Sequence, residues 1–215
     1  DGETHQGLYD MGVLLSVPNV HVYAPATGGE LKAMLQHMQN YDEATIAVRF
    51  PKAAAERSSL DKLPDVSSKK PEILGRGRDL AIVAVGVARE IAVELEKEIR
   101  NRLGILSTVV GVRWVRPMDE KAFQDALAEC DAFICIEDSY INSSASLYLR
   151  GRLPAELSAR HLKTFAFACE SIPHGTRPEI MAEYGLCVEA ITEYLEEHPQ
   201  FRGKLHSSLA GSSEI

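Results

Sequence analysis

Several familiar site types have no material in this chain of 215 residues. Its four cysteines, Cys130, Cys135, Cys169 and Cys187, lack the paired short spacings of a zinc site. Three of them lie in or beside apolar stretches, so buried free thiols in a reducing compartment are expected, with no disulfide framework and no metal cluster. Basic residues are in the minority, 23 Lys and Arg against 31 Asp and Glu, for a formal charge of -8. That balance argues against nucleic acid as a partner, because phosphate backbones call for a basic face. Long hydrophobic runs are missing too. Residues 80–85 form a wholly apolar stretch, Leu-Ala-Ile-Val-Ala-Val, but it stops far short of a membrane span. No signal peptide opens the chain, and no internal repeat appears. Gly75-Arg76-Gly77-Arg78 is not a nucleotide fingerprint, since it precedes a strand instead of following one; it reads as a turn.

What remains is an ordinary globular composition, 45% hydrophobic and 25% charged, able to bury a real core. Strands and helices alternate along it. Residues 8–15 and 30–38 carry apolar positions at helical spacing, while 19–25 and 45–50 read as short strands ended by Pro25 and Pro51. These first fifty residues amount to half of a parallel α/β sheet, too small to cover both faces and expected to leave strand edges and apolar surface open. Residues 51–78 turn polar and proline-punctuated, and read as a connector lying across the surface between two domains. From residue 79 a full alternation follows: strands at 80–85, 107–112, 132–136 and 163–168, with helices at 88–103, 119–128, 144–153, 178–184 and 188–197. It predicts a three-layer αβα sandwich with a mainly parallel sheet over 79–198, followed by a flexible tail at 199–215.

The opening Asp1-Gly2-Glu3-Thr4-His5-Gln6-Gly7 carries the chemistry. In a helix, Asp1 and His5 would project from one face and could address one substrate. Spacing alone leaves a second reading open, with Asp1 as a helix cap and His5 as a surface histidine.

Four stretches in order add to this. They are DGETHQGLYDMGVLLSVPNVHVYAP (1–25), AVRFPK (47–52), VRWVRPMDEKA (112–122) and ESIPHGTRPEIMAEYGL (170–186). Together they resemble the C-terminal half of the 1-deoxy-D-xylulose-5-phosphate synthase family, within the transketolase superfamily. Gly7, where transketolases proper have proline, tilts the likeness toward that branch. The resemblance implies a partial pyrimidine-binding α/β domain at 1–50, a linker at 51–78 and a complete transketolase C-terminal-type domain at 79–198. It implies an enzyme that uses thiamine diphosphate and Mg2+ to condense pyruvate, with loss of CO2, and glyceraldehyde 3-phosphate. A homodimer in a bacterial cytoplasm is the implied setting, a plastid the alternative.

By motif position, His5 is the expected catalytic residue, and Asp1, His5 and Lys52 the expected substrate ligands. Lys52 stands where the family has arginine, so an altered phosphate anchor is expected, since lysine offers a point charge and not a planar fork, with a plain surface charge as the alternative reading. Arg49 is read as a sheet-end salt bridge. No site is assigned to Glu137-Asp138-Ser139, because Ser143-Ser144-Ala145-Ser146 replaces a glycine-rich segment of the family. His174 is read as shaping a turn or a subunit contact. The cofactor-binding residues are expected upstream of Asp1, leaving this stretch to bind no cofactor and to be inactive alone. Two rival readings are another transketolase-like thiamine enzyme and a catalytically silent assembly domain.

Overall fold

The computed structural model describes residues 5–55, 63–168 and 171–202. In chain order its elements are α1 (Asp10–Ser16), β1 (Val20–Tyr23), α2 (Gly28–Met38), β2 (Thr45–Val48), β3 (Glu72–Leu74), β4 (Leu80–Val85), α3 (Ala88–Leu103), β5 (Ser107–Val112) and β6 (Trp114–Arg116). There follow α4 (Glu120–Ala128), β7 (Ala132–Tyr140), α5 (Ala145–Arg150), α6 (Ala155–Ser158), β8 (His161–Phe167), α7 (Arg177–Glu183) and α8 (Val188–Glu197).

Five strands form the larger sheet in the order β3-β5-β4-β7-β8, parallel except for the antiparallel edge strand β3. All six residues of β4 are buried, as befits a central strand covered on both faces. Its alternation sorts the core. Leu80, Ile82 and Ala84 join the cluster built with α3 and α8, while Ala81, Val83 and Val85 face α4, α5 and the N-terminal unit. Helix α3 buries Ala88, Ala92, Leu95, Ile99 and Leu103, one stripe at helical spacing. It stops at Gly104, whose φ of 66° and N–H donation to the Ile99 and Arg100 carbonyls close the last turn.

A second sheet, β2-β1-β6, joins the two halves of the molecule: β1 and β2 are parallel, and β6 adds antiparallel to β1. The family-like stretch VRWVRPMDEKA (112–122) therefore also donates a strand to the N-terminal unit. Arg116, at its end, caps α1 by donating to the carbonyls of Leu14 (3.0 Å), Leu15 (2.8 Å) and Val17 (2.7 Å), and reaches Val20 O at 2.6 Å. Trp114 is buried against Tyr23 and donates its indole N–H to Val66 O at 2.7 Å. Buried Glu30 accepts from Ala26 N (2.6 Å) and pairs with Arg89 (2.9 Å), which also holds Glu72.

These contacts revise the reading of 51–78 as a surface connector. Val66 is core, and residues 72–74 are a sheet edge. The strand expected at 132–136 continues to Tyr140, and the helix expected at 144–153 breaks into α5 and α6. Phe201, within the stretch expected as tail, is 3% exposed. Cys130 and Cys135 are buried thiols, the latter pushed by burial up to about 12, while Cys187 is half-buried. Cys169 lies outside the described residues. On α1 an apolar stripe is open, with Val13 61% exposed between Tyr9 and Val17, and no described helix is long and apolar enough to cross a membrane.

His161, at the start of β8, gives a pH signature. Burial, reinforced by Arg150, pushes its imidazole down to about 4. The unfolded chain takes up this proton at about pH 6.5, so stability is full above that value and falls as pH drops toward 4. Because the ring is partly open to solvent, screening leaves an expected loss on the order of 1 kcal/mol across that interval. Denaturant unfolding of His161→Gln at pH 7 and pH 4.5 should show a visibly flatter profile than the parent.

Candidate functional site

The segment opening the described chain is fastened at three points. Gln6 Nε2 donates to Ile172 O at 2.9 Å, Tyr140 N donates to Leu8 O at 2.9 Å, and Gly7 turns with a φ of 64°. A side chain at Gly7 would also meet Asp10 Oδ2 at 3.0 Å, so glycine serves both the turn and the space. His5 thus precedes a sharp turn and is separated from α1 by it. Asp1 lies outside the described residues.

Arg49 leaves the end of β2, its own N–H held by Tyr23 O at 2.9 Å. Its guanidinium spans the two units: Nε donates to Asp10 Oδ1 at 3.0 Å, Nη1 pairs with Asp138 Oδ1, and Nη2 donates to Asp138 O at 2.8 Å. The other carboxylate oxygen of Asp138 accepts from Arg177 Nη2 at 3.0 Å. Asp138 is 9% exposed and Arg49 14%. Burial alone would raise the Asp138 carboxyl, but the Arg49 and Arg177 charges and their hydrogen bonds hold it below the usual carboxylate range. Burial alone would likewise lower Arg49, and Asp138 and Asp10 outweigh it and raise it. Asp138 and Arg49 therefore both stay ionised at neutral pH.

These side chains line one cavity of about 590 Å³ between the N-terminal unit and the region of α7. His5 and Lys52 open onto it, together with Arg49, Arg177, Asp10 and Asp138. Apolar walls come from Phe50, Phe167, Ile172 and Met181. Two expected site residues, His5 and Lys52, thus share a wall, although 47 positions separate them in sequence. Arg49 forms the ion pairs expected of it at the sheet end. His174 is not among the lining residues.

Three charged lining residues, Asp10, Asp138 and Arg177, escaped the sequence reading. Asp138 sits toward the C-terminal end of β7, where open α/β sheets present functional loops, and that rule was the available signal. Its neighbour Glu137 turns inward and accepts from Ser139 Oγ (2.6 Å), Ala145 N (2.8 Å) and Ser146 N (2.8 Å). Arg177 gave no signal, because its partner lies 39 positions away. The serine replacement at 143–146 is accommodated: Ser144 caps α5, and a Cβ at Gly12 would come within 2.3 Å of Ser143 Cβ, so Gly12 makes the room.

Among the described lining residues three cations stand against two carboxylates, a balance that suits an anion. Both carboxylates are engaged by arginine, which does not fit a magnesium–diphosphate cradle. Among the described residues no group of three or more His, Cys, Asp or Glu could hold a metal ion.

The comparisons with known proteins are consistent along the whole chain. Residues 69–191 match the family model described as transketolase, C-terminal domain, and residues 1–57 that described as transketolase, pyrimidine binding domain. The 1-deoxy-D-xylulose-5-phosphate synthase of Fusobacterium nucleatum is 28% identical over 203 residues, 92% of this chain and 32% of that protein. The enzyme of the same name from Natranaerobius thermophilus is 31% identical over 192 residues, 86% of this chain and 30% of that protein. This chain thus spans about a third of the length of the curated relatives it matches. Among solved structures, a split gene transketolase described as an inactive beta4 tetramer superposes with a TM-score of 0.71 at 18% identity, over 93% of this chain and 63% of that one. Transketolase from Campylobacter jejuni gives 0.66 at 16% identity, over 92% and 29%. At those identities the likeness speaks for the fold.

The ionic chain makes a stability prediction. Asp138→Asn leaves Arg49 and Arg177 without their shared anion and should cost about 3 kcal/mol at pH 7. Because the folded state lowers this carboxyl, its contribution is present at neutral pH and lost as pH falls through and below the ordinary aspartate range. The gap between parent and variant in denaturant unfolding should therefore narrow only in strong acid.

Proposed function

The chain belongs to the transketolase family, and from that premise we propose that it is the acceptor-binding part of a thiamine diphosphate-dependent carboligase. The reaction proposed is condensation of pyruvate, with loss of CO2, and glyceraldehyde 3-phosphate to 1-deoxy-D-xylulose 5-phosphate, a step of isoprenoid precursor synthesis. The observation that carries this reading is the cavity in which an imidazole shares a wall with surplus cationic charge. An aldehyde bearing a phosphate asks for both.

Thiamine diphosphate with Mg2+, when bound, supplies the stabilisation of a carbanion. The described residues do not supply its cradle, so in this reading they act on the acceptor alone, and turnover requires the polypeptide that holds the cofactor. His5 is the proposed catalytic residue. An imidazole can give a proton to, or take one from, the acceptor oxygen. Asp1, outside the described residues, is proposed to accept a hydrogen bond from an acceptor hydroxyl. Lys52 is proposed to meet the phosphate as a point charge. Arg49, desolvated and shared between Asp10 and Asp138, fixes the wall from which these groups project.

The proposed setting is a homodimer in a bacterial cytoplasm, a plastid being the alternative. The open apolar stripe on α1 supports an interface, since such a stripe gains by leaving water. The nearest rival within enzymes is a transketolase-like carboligase with another acceptor. A silent assembly role draws on Lys52 and on the serines at 143–146, both departures from the family pattern.

The test is His5→Ala in the full-length protein, assayed with pyruvate and glyceraldehyde 3-phosphate. Turnover should fall by roughly 10²-fold or more with the fold intact by circular dichroism. Near-normal turnover would remove His5 from the mechanism, and a preference for another aldehyde would favour the rival carboligase.

A further inference from the structure

Of the cations lining the cavity, Arg177 comes from outside both N-terminal motif stretches, and its backbone is held in place before its side chain does anything. Thr176 caps α7: its N–H and hydroxyl both donate to Glu179 Oε2, at 3.1 and 2.5 Å. Pro178 stiffens the first turn, and Met181, one turn on, is buried. The side chain is 39% exposed and lines the cavity.

Its hydrogen bonding is incomplete. A guanidinium has five N–H donors. Among the described residues Arg177 makes one hydrogen bond, from Nη2 to Asp138 Oδ2. That bond orients the plane without filling it. Asp138 is buried and shared with Arg49, so it is a fixed anchor. Arg49 itself is desolvated and engaged by two carboxylates. Of the exposed cations lining the cavity, Lys52 and Arg177, only the second is planar.

We propose that Arg177, reaching in from the C-terminal unit, supplies the bidentate contact to the phosphate of the acceptor, with Lys52 as the accompanying point charge. This rests on the reading of the cavity as an acceptor site. The two exposed lining cations then have different duties. Lys52 attracts the dianion, and the fork of Arg177 orients it. Asp138 is a positioning residue that holds the fork at the angle its own carboxylate oxygen dictates.

The experiment titrates the full-length protein with inorganic phosphate at low ionic strength by calorimetry, for the parent, Lys52→Ala, Arg177→Gln and Arg177→Lys. Arg177→Gln should weaken phosphate binding by roughly 10- to 100-fold, and Arg177→Lys should recover only part of it, because charge returns without the fork. In the assay, Arg177→Gln should raise KM for glyceraldehyde 3-phosphate and leave that for unphosphorylated glyceraldehyde unchanged. A purely structural role would instead lower the melting temperature without phosphate and leave the phosphate-induced rise intact, which would overturn the proposal. Weakened binding in Lys52→Ala with parental binding in both Arg177 variants would overturn it while sparing the acceptor-site reading. A parent that binds no phosphate would overturn both. If Arg177→Gln fails to fold, Arg177→Lys carries the comparison, and parental binding there overturns the fork.

Discussion

Removing a carboxylate from water is tolerable only where positive charge and hydrogen-bond donors meet it, and Asp138 is placed where three parts of the molecule must converge to do so. One oxygen faces Arg49 from the end of β2, the other faces Arg177 from the start of α7, and Asp138 belongs to β7 of the larger sheet. The N-terminal unit, the central sheet and the late helix therefore hold one another through a single anion. Asp10 extends the chain into α1. A low-dielectric setting makes each member strongly dependent on the others. The cavity is the space these pairs leave between them.

A second set of contacts keeps that convergence rigid. Trp114 and Arg116 bring backbone and side chain from the C-terminal half into the smaller sheet, and Arg116 serves carbonyls that α1 would otherwise leave unpaired. Glu30, buried with Arg89, ties α2 to α3 from the other side. Apolar packing runs through the same boundary, since Met11, Val22 and Ala24 join the core beneath β4. The two halves share strands, charges and core.

Much of this was legible in the residues. The continuous apolar run of β4 and the stripe along α3 announce a buried strand and a surface helix through period alone. Proline and glycine marked most of the stops. What escaped were pieces too short to show a period: three residues in β3, three in β6. The last part of β7 was missed for another reason. Glu137 and Asp138 look like loop residues, yet backbone N–H groups of α5 satisfy the first and two arginines the second. Of the candidate site, His5 and Lys52 could be picked out from motif position. Arg177 could not, and Asp138 only by its place toward a strand end, because what singles both out is a meeting across the fold that no local pattern encodes.

The passage from β5 to β6 has one more consequence. Val112 belongs to the five-stranded sheet and Trp114 to the three-stranded one, with Arg113 alone between them. A single residue extends by no more than about 3.6 Å, and Arg113 is held by Ala24 N–H on its carbonyl at 2.7 Å. Such a tether leaves no slack for the sheets to swing apart like the shells of a clam. Any parting of the two sheets at this crossing would first have to break the bond from Ala24 N–H to the Arg113 carbonyl.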